Sequence, residues 1–289
     1  MGKYNISKQF GIWAHFKPPR LTKFIAKIAQ KFTGSMWRTL KRQKGIAFKR
    51  VEIQNGLKAF LISPEGCVSS DCLVYFHGGG FVFDAAFSHY KLACEYARRC
   101  GINVLFVGYT LVPNRVYPVQ QKECLATINY AKKGFDKVIV GGDSAGGFLA
   151  ATSLIQSINT GIRLDGAMLI YPVIDNKMRT KSMMEFCDTP MWDSINNKKM
   201  WQWYYDGVDY PVSLLDISLP NNLPPIYIET AQYDCLRDEA LLFSQKIIAH
   251  GGKVYENQTQ HTMHGFDVKD CQITRDAILN RIDFLKTLL

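Results

Sequence analysis

Along most of the chain, short apolar runs alternate with stretches whose apolar residues recur every three or four positions. From about residue 46, GIAFKRVEI and LKAFLI read as an opening pair of strands. CLVYF then runs into HGGGF, a helix is expected over about 88–100, and INVLFVGY is apolar enough for a strand buried on both faces. A helix over about 118–133 follows. KVIVGG is a strand that breaks straight into DSAGG and a helix to about 159. GAMLIYP, IYIETA, a helix over about 238–250, KVYENQT and a closing helix over about 274–288 complete the series. Such alternation predicts an α/β fold, with a mainly parallel central sheet and helices on both faces.

Two stretches break the rhythm. In residues 20–32, Leu21, Phe24, Ile25, Ile28 and Phe32 fall on one helical face and Lys23, Lys27 and Lys31 on the other, which predicts an amphipathic helix of about three turns entered after Pro18-Pro19. Residues 175–222 show no strand pattern and end in the Pro-rich SLPNNLPP. They hold five of the nine methionines and three of the five tryptophans; the other two, Trp13 and Trp37, precede the alternating body. The expected organisation is therefore an N-terminal cap segment (1–45), an α/β body (46–174 and 223–289) and a cap insertion (175–222). The two cap pieces would lie together over the carboxyl edge of the sheet, where such folds bind ligands. The apolar stripe of the first helix is expected to pack on the insertion's aromatic side chains.

Charge sharpens this division. The 289 residues are 47% hydrophobic and 21% charged, as in an ordinary folded globule. The net charge is +10, yet residues 1–50 carry 13 Lys/Arg and no acid, leaving 22 basic against 25 acidic residues, a net of −3, in the rest. A body without a basic face argues against nucleic acid as a partner. No apolar run approaches the ~20 residues that span a bilayer, and the first residues show neither a continuous apolar stretch nor a cleavage pattern. The eight cysteines form no C-x-x-C pair and no cluster with zinc spacing. Free thiols in a reducing cytoplasm, with no metal and no cofactor, are the expectation.

The candidate chemistry lies at strand ends. Gly142-Asp143-Ser144-Ala145-Gly146 fits G-x-S-x-G between a β-branched strand and an apolar helix, the context in which a sharp turn exposes a serine nucleophile. His77-Gly78-Gly79-Gly80 follows CLVYF, and its backbone N–H groups, with that of Ala145, can converge on an oxyanion. His77 itself reads as a brace for that loop. A serine needs a base, and the base an orienting acid. His264 in MHGF follows the strand KVYENQT, with His261 as its competitor; His250 reads as a helix-end residue. Asp234 follows the strand IYIETA, whereas Asp238 reads as a charge at a helix start.

The combination HGGGF (77–81), GDSAGG (142–147), YDCLRDE (233–239) and HGF (264–266), with YTLVP (109–113), resembles the bacterial branch of the hormone-sensitive-lipase-like family of α/β-hydrolase esterases. The resemblance runs from about residue 55 to the end. It implies a triad of Ser144, Asp234 and His264, oxyanion donors at Gly78, Gly79 and Ala145, and a helical cap made of the N-terminus plus an insertion. The chain departs from the family at Thr110 (usually Arg), Phe148 (frequently Asn), Gln232 (commonly Glu) and Cys235 (usually Pro), none of them a catalytic group.

The expected activity is hydrolysis of a small-molecule ester through an acyl-enzyme, with short to medium acyl chains in an apolar pocket of Phe81, Phe148, Trp192, Met200, Trp201 and Trp203. Three rivals stand beside it. An amidase or peptidase would separate on matched ester and anilide substrates. A non-catalytic receptor would be expected to lack a triad member. A membrane-surface lipase anchored by the basic helix would bind liposomes. For the N-terminal segment a membrane surface ranks behind closing the site, and a homodimer is left open.

Overall fold

The computed structural model describes residues 3–39, 43–54, 56–209 and 211–289, with the side chains of 32–39 outside the description. Eight strands form one sheet: β1 (Ile46–Gln54), β2 (Leu57–Pro64), β3 (Cys72–Phe76), β4 (Asn103–Gly108), β5 (Val138–Asp143), β6 (Gly166–Ile170), β7 (Ile226–Tyr233) and β8 (Val254–Met263). Their spatial order is β1-β2-β4-β3-β5-β6-β7-β8. β1, β2 and β4 pair antiparallel, and the run from β4 to β8 is parallel throughout.

The two-residue period of the strands sorts the core into two layers. In β3, Cys72, Val74 and Phe76 point to the layer shared with α3 (Val119–Gly134), α4 (Ala145–Asn159) and α7 (Arg237–Ala249). Leu73 and Tyr75 point to the layer shared with α2 (Phe87–Cys100) and α8 (Gln272–Lys286). Every β3 residue is fully buried, which is why CLVYF lacks any polar alternation. The strands and helices expected from the sequence stand in the expected order. β7 and β8 run longer than their apolar cores because they pair on to Tyr233 and Met263 past a register shift.

Outside this body lie a 3₁₀ segment (Lys8–His15), α1 (Lys23–Thr39), α5 (Lys181–Glu185) and α6 (Ser194–Tyr204). The N-terminal stretch and the insertion meet through polar contacts. Lys3 pairs with Asp188 at 2.8 Å and Arg20 with Asp193 at 2.7 Å. The Leu21 N–H donates to Asn196 Oδ1 (3.1 Å), and the Met191 N–H to the Phe16 carbonyl (2.9 Å). Lys17 and Tyr4 also bond to Asp188.

The orientation of α1 overturns one expectation. Phe24 and Ile28 do not pack inward; they are 73% and 54% exposed, while Leu21 and Ala26 are buried and Ile25 is half-buried. Phe32's side chain, and that of Trp37, lie outside the described residues. The cause is at Gln30, whose Nε2 donates to the carbonyls of Val82 and Val112, both at 2.8 Å. Those carbonyls sit on loops after β3 and β4. Small Ala26 lets the helix approach them closely, and the amide of Gln30 satisfies acceptors that Phe24 or Ile28 would leave unpaired. At 3.6 residues per turn, Phe24 and Ile28 lie roughly opposite Ala26.

Candidate active site

Three strand ends converge at the carboxyl edge. Ser144 sits between β5 and α4 with φ 54° and ψ −119°, a left-handed conformation that non-glycine residues adopt only under constraint. The residues two positions to either side, Gly142 and Gly146, must lack side chains. A Cβ on Gly142 would lie 2.4 Å from the Gly146 carbonyl, and one on Gly146 would lie 2.0 Å from that of Phe76. The turn is pinned by the Ser144 N–H on the Ile170 carbonyl (2.9 Å) and by the Val173 N–H on the Ser144 carbonyl (3.0 Å).

Asp234 leaves the end of β7 fully buried, and Oδ1 accepts from the Leu236 N–H at 2.9 Å. His264 leaves the end of β8. Its Nδ1 is 2.7 Å from Asp234 Oδ2, and its Nε2 is 2.9 Å from Ser144 Oγ. An ionised carboxylate only accepts, so Nδ1 carries the proton and Nε2 is left to accept from the serine hydroxyl. The three residues singled out in the sequence thus form one hydrogen-bonded chain. His261 does not join it: exposed, it places Nδ1 3.1 Å from the Asn5 carbonyl. His250 caps the end of α7, and Asp238 lies in its first turn.

The glycine loop gives a correction. The Gly78 N–H is committed to Asp143 Oδ1 at 3.0 Å, so it is not open to a ligand. The N–H groups of Gly79, Gly80 and Ala145 have no acceptor among the described residues. Three glycines were visible in the sequence, but not which N–H was already taken, because Asp143 lies 65 positions away. Asp143 is the residue sequence reasoning passed over. It also accepts from Tyr75 Oη (2.9 Å) and meets His89 Nε2 (3.1 Å), while His89 Nδ1 accepts from the Ala86 N–H (2.9 Å). Burial alone would raise the Asp143 carboxyl, but His89, with help from Tyr75, holds it down at about 2. His77 braces the loop as expected, its ring stacked 4.5 Å from that of Tyr109, whose hydroxyl donates to the His77 carbonyl.

Of the expected pocket residues, Phe81, Phe148 and Trp201 form one cluster with Tyr204, with ring centroids 4.0 to 5.9 Å apart. Trp192 reaches the other side, 6.3 Å from the His264 ring, and covers Gly80 so closely that a Cβ there would lie 2.7 Å from it. Met200 is buried in the same layer. Trp203 faces the Lys199 ammonium (5.8 Å) and has no ring contact with the cluster among the described residues.

Behind His264 lies a network no sequence signal announced. Tyr171 meets the His264 ring edge-on at 4.8 Å, and its hydroxyl donates to Asp267 Oδ1 (2.7 Å). Asp267 Oδ2 accepts from Arg281 Nη1 (2.8 Å), and Arg281 Nε donates to Glu229 (3.0 Å). Arg281 is completely buried. Removing one partner from a buried ion network leaves the others charged and unpaired. Arg281→Ala is therefore expected to lower stability by about 3–5 kcal/mol, read as the shift in the urea midpoint. A loss under about 1 kcal/mol, the range of exposed pairs, would mean the network is not held as described.

Comparison with known proteins agrees with this architecture. A family model described as the alpha/beta hydrolase fold matches residues 73–268. An alpha/beta hydrolase of Acanthamoeba polyphaga mimivirus is 27% identical over 258 residues, 80% of this chain and 73% of that protein. Carboxylesterase NlhH of Mycobacterium tuberculosis is 30% identical over 210 residues, 67% of this chain and 66% of its own length. The crystal structure of an esterase from the bacterial hormone-sensitive lipase family superposes with a TM-score of 0.84 at 22% identity, over 100% of this chain and 99% of that one, a likeness of fold.

Proposed function

We propose that this chain, which belongs to the α/β-hydrolase family and is a carboxylic-ester hydrolase, is of the hormone-sensitive-lipase-like kind and works by serine acyl transfer on short- to medium-chain esters. The observation that carries the mechanism is the chain Asp234–His264–Ser144, with contacts of 2.7 and 2.9 Å at an elbow that holds Ser144 at φ 54°. Ser144 Oγ attacks the ester carbonyl carbon while His264 Nε2 takes its proton. Asp234 holds the tautomer and stabilises the imidazolium. The N–H groups of Gly79, Gly80 and Ala145 receive the negative charge on the former carbonyl oxygen. The imidazolium returns its proton to the departing alcohol, and a water then repeats the sequence on the acyl-enzyme. A fluorophosphonate probe tests the assignment directly: mass analysis should place one adduct on the peptide containing Ser144. An unlabelled Ser144 in active protein would refute it.

The acyl group is assigned to the space bordered by Phe81, Phe148, Trp192 and Trp201. Phe81, Phe148 and Trp201 pack against one another and Trp192 stands on the His264 side, an arrangement we read as limiting the depth open to a long chain. Each methylene buried adds ~0.8 kcal/mol, so gain stops where the rings close the pocket. Across p-nitrophenyl esters, kcat/KM should peak at about two to six carbons and be weak beyond about ten. A preference for chains above ten carbons would overturn this. We assign the N-terminal segment and the insertion together as the cap, with the cytoplasm as location. Among the described residues no helix is long and apolar enough to cross a membrane.

A further inference from the structure

The half-turn displacement of α1 leaves its large apolar residues facing solvent. Phe24, Lys27, Ile28 and Lys31 follow i, i+3, i+4, i+7 spacing, so the lysines expected on the opposite face in fact border Phe24 and Ile28 on one side of the helix. Phe24 is 73% exposed and Ile28 54%; in the preceding 3₁₀ segment Ile12 is 79% exposed. The basic residues divide into two groups. Lys3 and Arg20 are paired with Asp188 and Asp193 of the insertion. Lys23, Lys27 and Lys31 are exposed and make no ion pair with the described residues. No Asp or Glu occurs in residues 1–50 to oppose them.

We propose that this outward face of α1 docks on the surface of an anionic phospholipid bilayer. Lipid phosphates meet the unpaired lysines, and the acyl boundary takes Phe24 and Ile28. Charge complementarity selects this occupant. A second copy laid face to face would set lysine against lysine, and a nucleic acid would leave the two apolar side chains in water. The opposite side of α1 holds the Val82 and Val112 carbonyls through Gln30. Docking therefore leaves α1 between the bilayer and the loops after β3 and β4.

The test uses the full chain and vesicles of phosphatidylcholine alone or with about 30% phosphatidylglycerol. The protein should sediment with the anionic vesicles, stay in solution with the neutral ones, and be released by high salt as the charges are screened. Each lysine near an anionic leaflet is worth about fivefold in partitioning, so the triple variant K23Q/K27Q/K31Q should bind roughly a hundredfold more weakly. Phe24→Ser with Ile28→Ser should weaken binding about tenfold or more. Both variants should melt like the parent and hydrolyse a soluble ester within twofold of it, since these side chains face away from the site. The Ser144→Ala protein should bind vesicles as the parent does, so a failure of docking and a failure of the catalytic assignment are told apart. The proposal falls if the parent does not sediment with anionic vesicles, or binds both kinds equally. It falls equally if the variants bind like the parent, or if the apolar variant only converts a dimer to a monomer.

Discussion

Ser144→Ala is expected to lower kcat/KM for p-nitrophenyl acetate by a factor on the order of 10⁴ or more, with the fold intact. The elbow does not depend on the hydroxyl. Its backbone is held by the Ser144 N–H on Ile170 and by the tight seats of Gly142 and Gly146, all of which alanine preserves. What alanine removes is the atom 2.9 Å from His264 Nε2 that forms the covalent bond. The three residues act as a unit, so loss of one removes most of what they achieve together, leaving only what oxyanion donors and binding supply. Activity within tenfold of the parent, on protein cleared of contaminating esterases, would defeat the assignment.

His264→Ala should match that loss, and His261→Ala should stay within about threefold of the parent. The two histidines are three residues apart but play different parts. His264 bridges Asp234 and Ser144 from inside the fold. His261 is exposed at the end of β8, where its ring meets the Asn5 carbonyl and its N–H donates to Gln232. Its removal loosens a surface tie and touches no reacting atom. Equal large losses from both would mean that proton transfer is not carried by a single imidazole at 264.

Much of the fold was legible because buried parallel strands need continuous apolar runs. CLVYF, VLFVG and GAMLI are such runs, and nothing else in the chain competes for them. The meeting of Ser144, Asp234 and His264 was legible for a related reason. Each follows directly on a strand, and parallel strands deliver their carboxyl ends to one edge. The rest depended on information that local pattern does not carry. Periodicity showed that residues 20–32 form a helix, but not which side its neighbours would cover. That was decided by two loop carbonyls and by Gln30, a polar residue on the side away from the apolar stripe. Likewise, a run of glycines announces free N–H groups without saying that Asp143 already holds one. Tyr171, Asp267 and Arg281 were invisible because each is ordinary where it stands, and only the folded sheet brings them together behind His264.

The tie between Asn5 and His261 spans 256 positions of the chain, and Phe10 lies against Phe266 across a similar interval. A ribosome adding roughly 5–20 residues per second takes on the order of 10 to 50 s to cross it. Throughout that time the 3₁₀ segment with Phe10, which is fully buried in the finished fold, lacks the Phe266 surface it packs on. A segment made long before its partner is thus among the last to be seated. A nascent chain stalled before about residue 266 would present this basic, apolar stretch to whatever chaperones attend the exit tunnel, and only completion of the final strand and helix withdraws it.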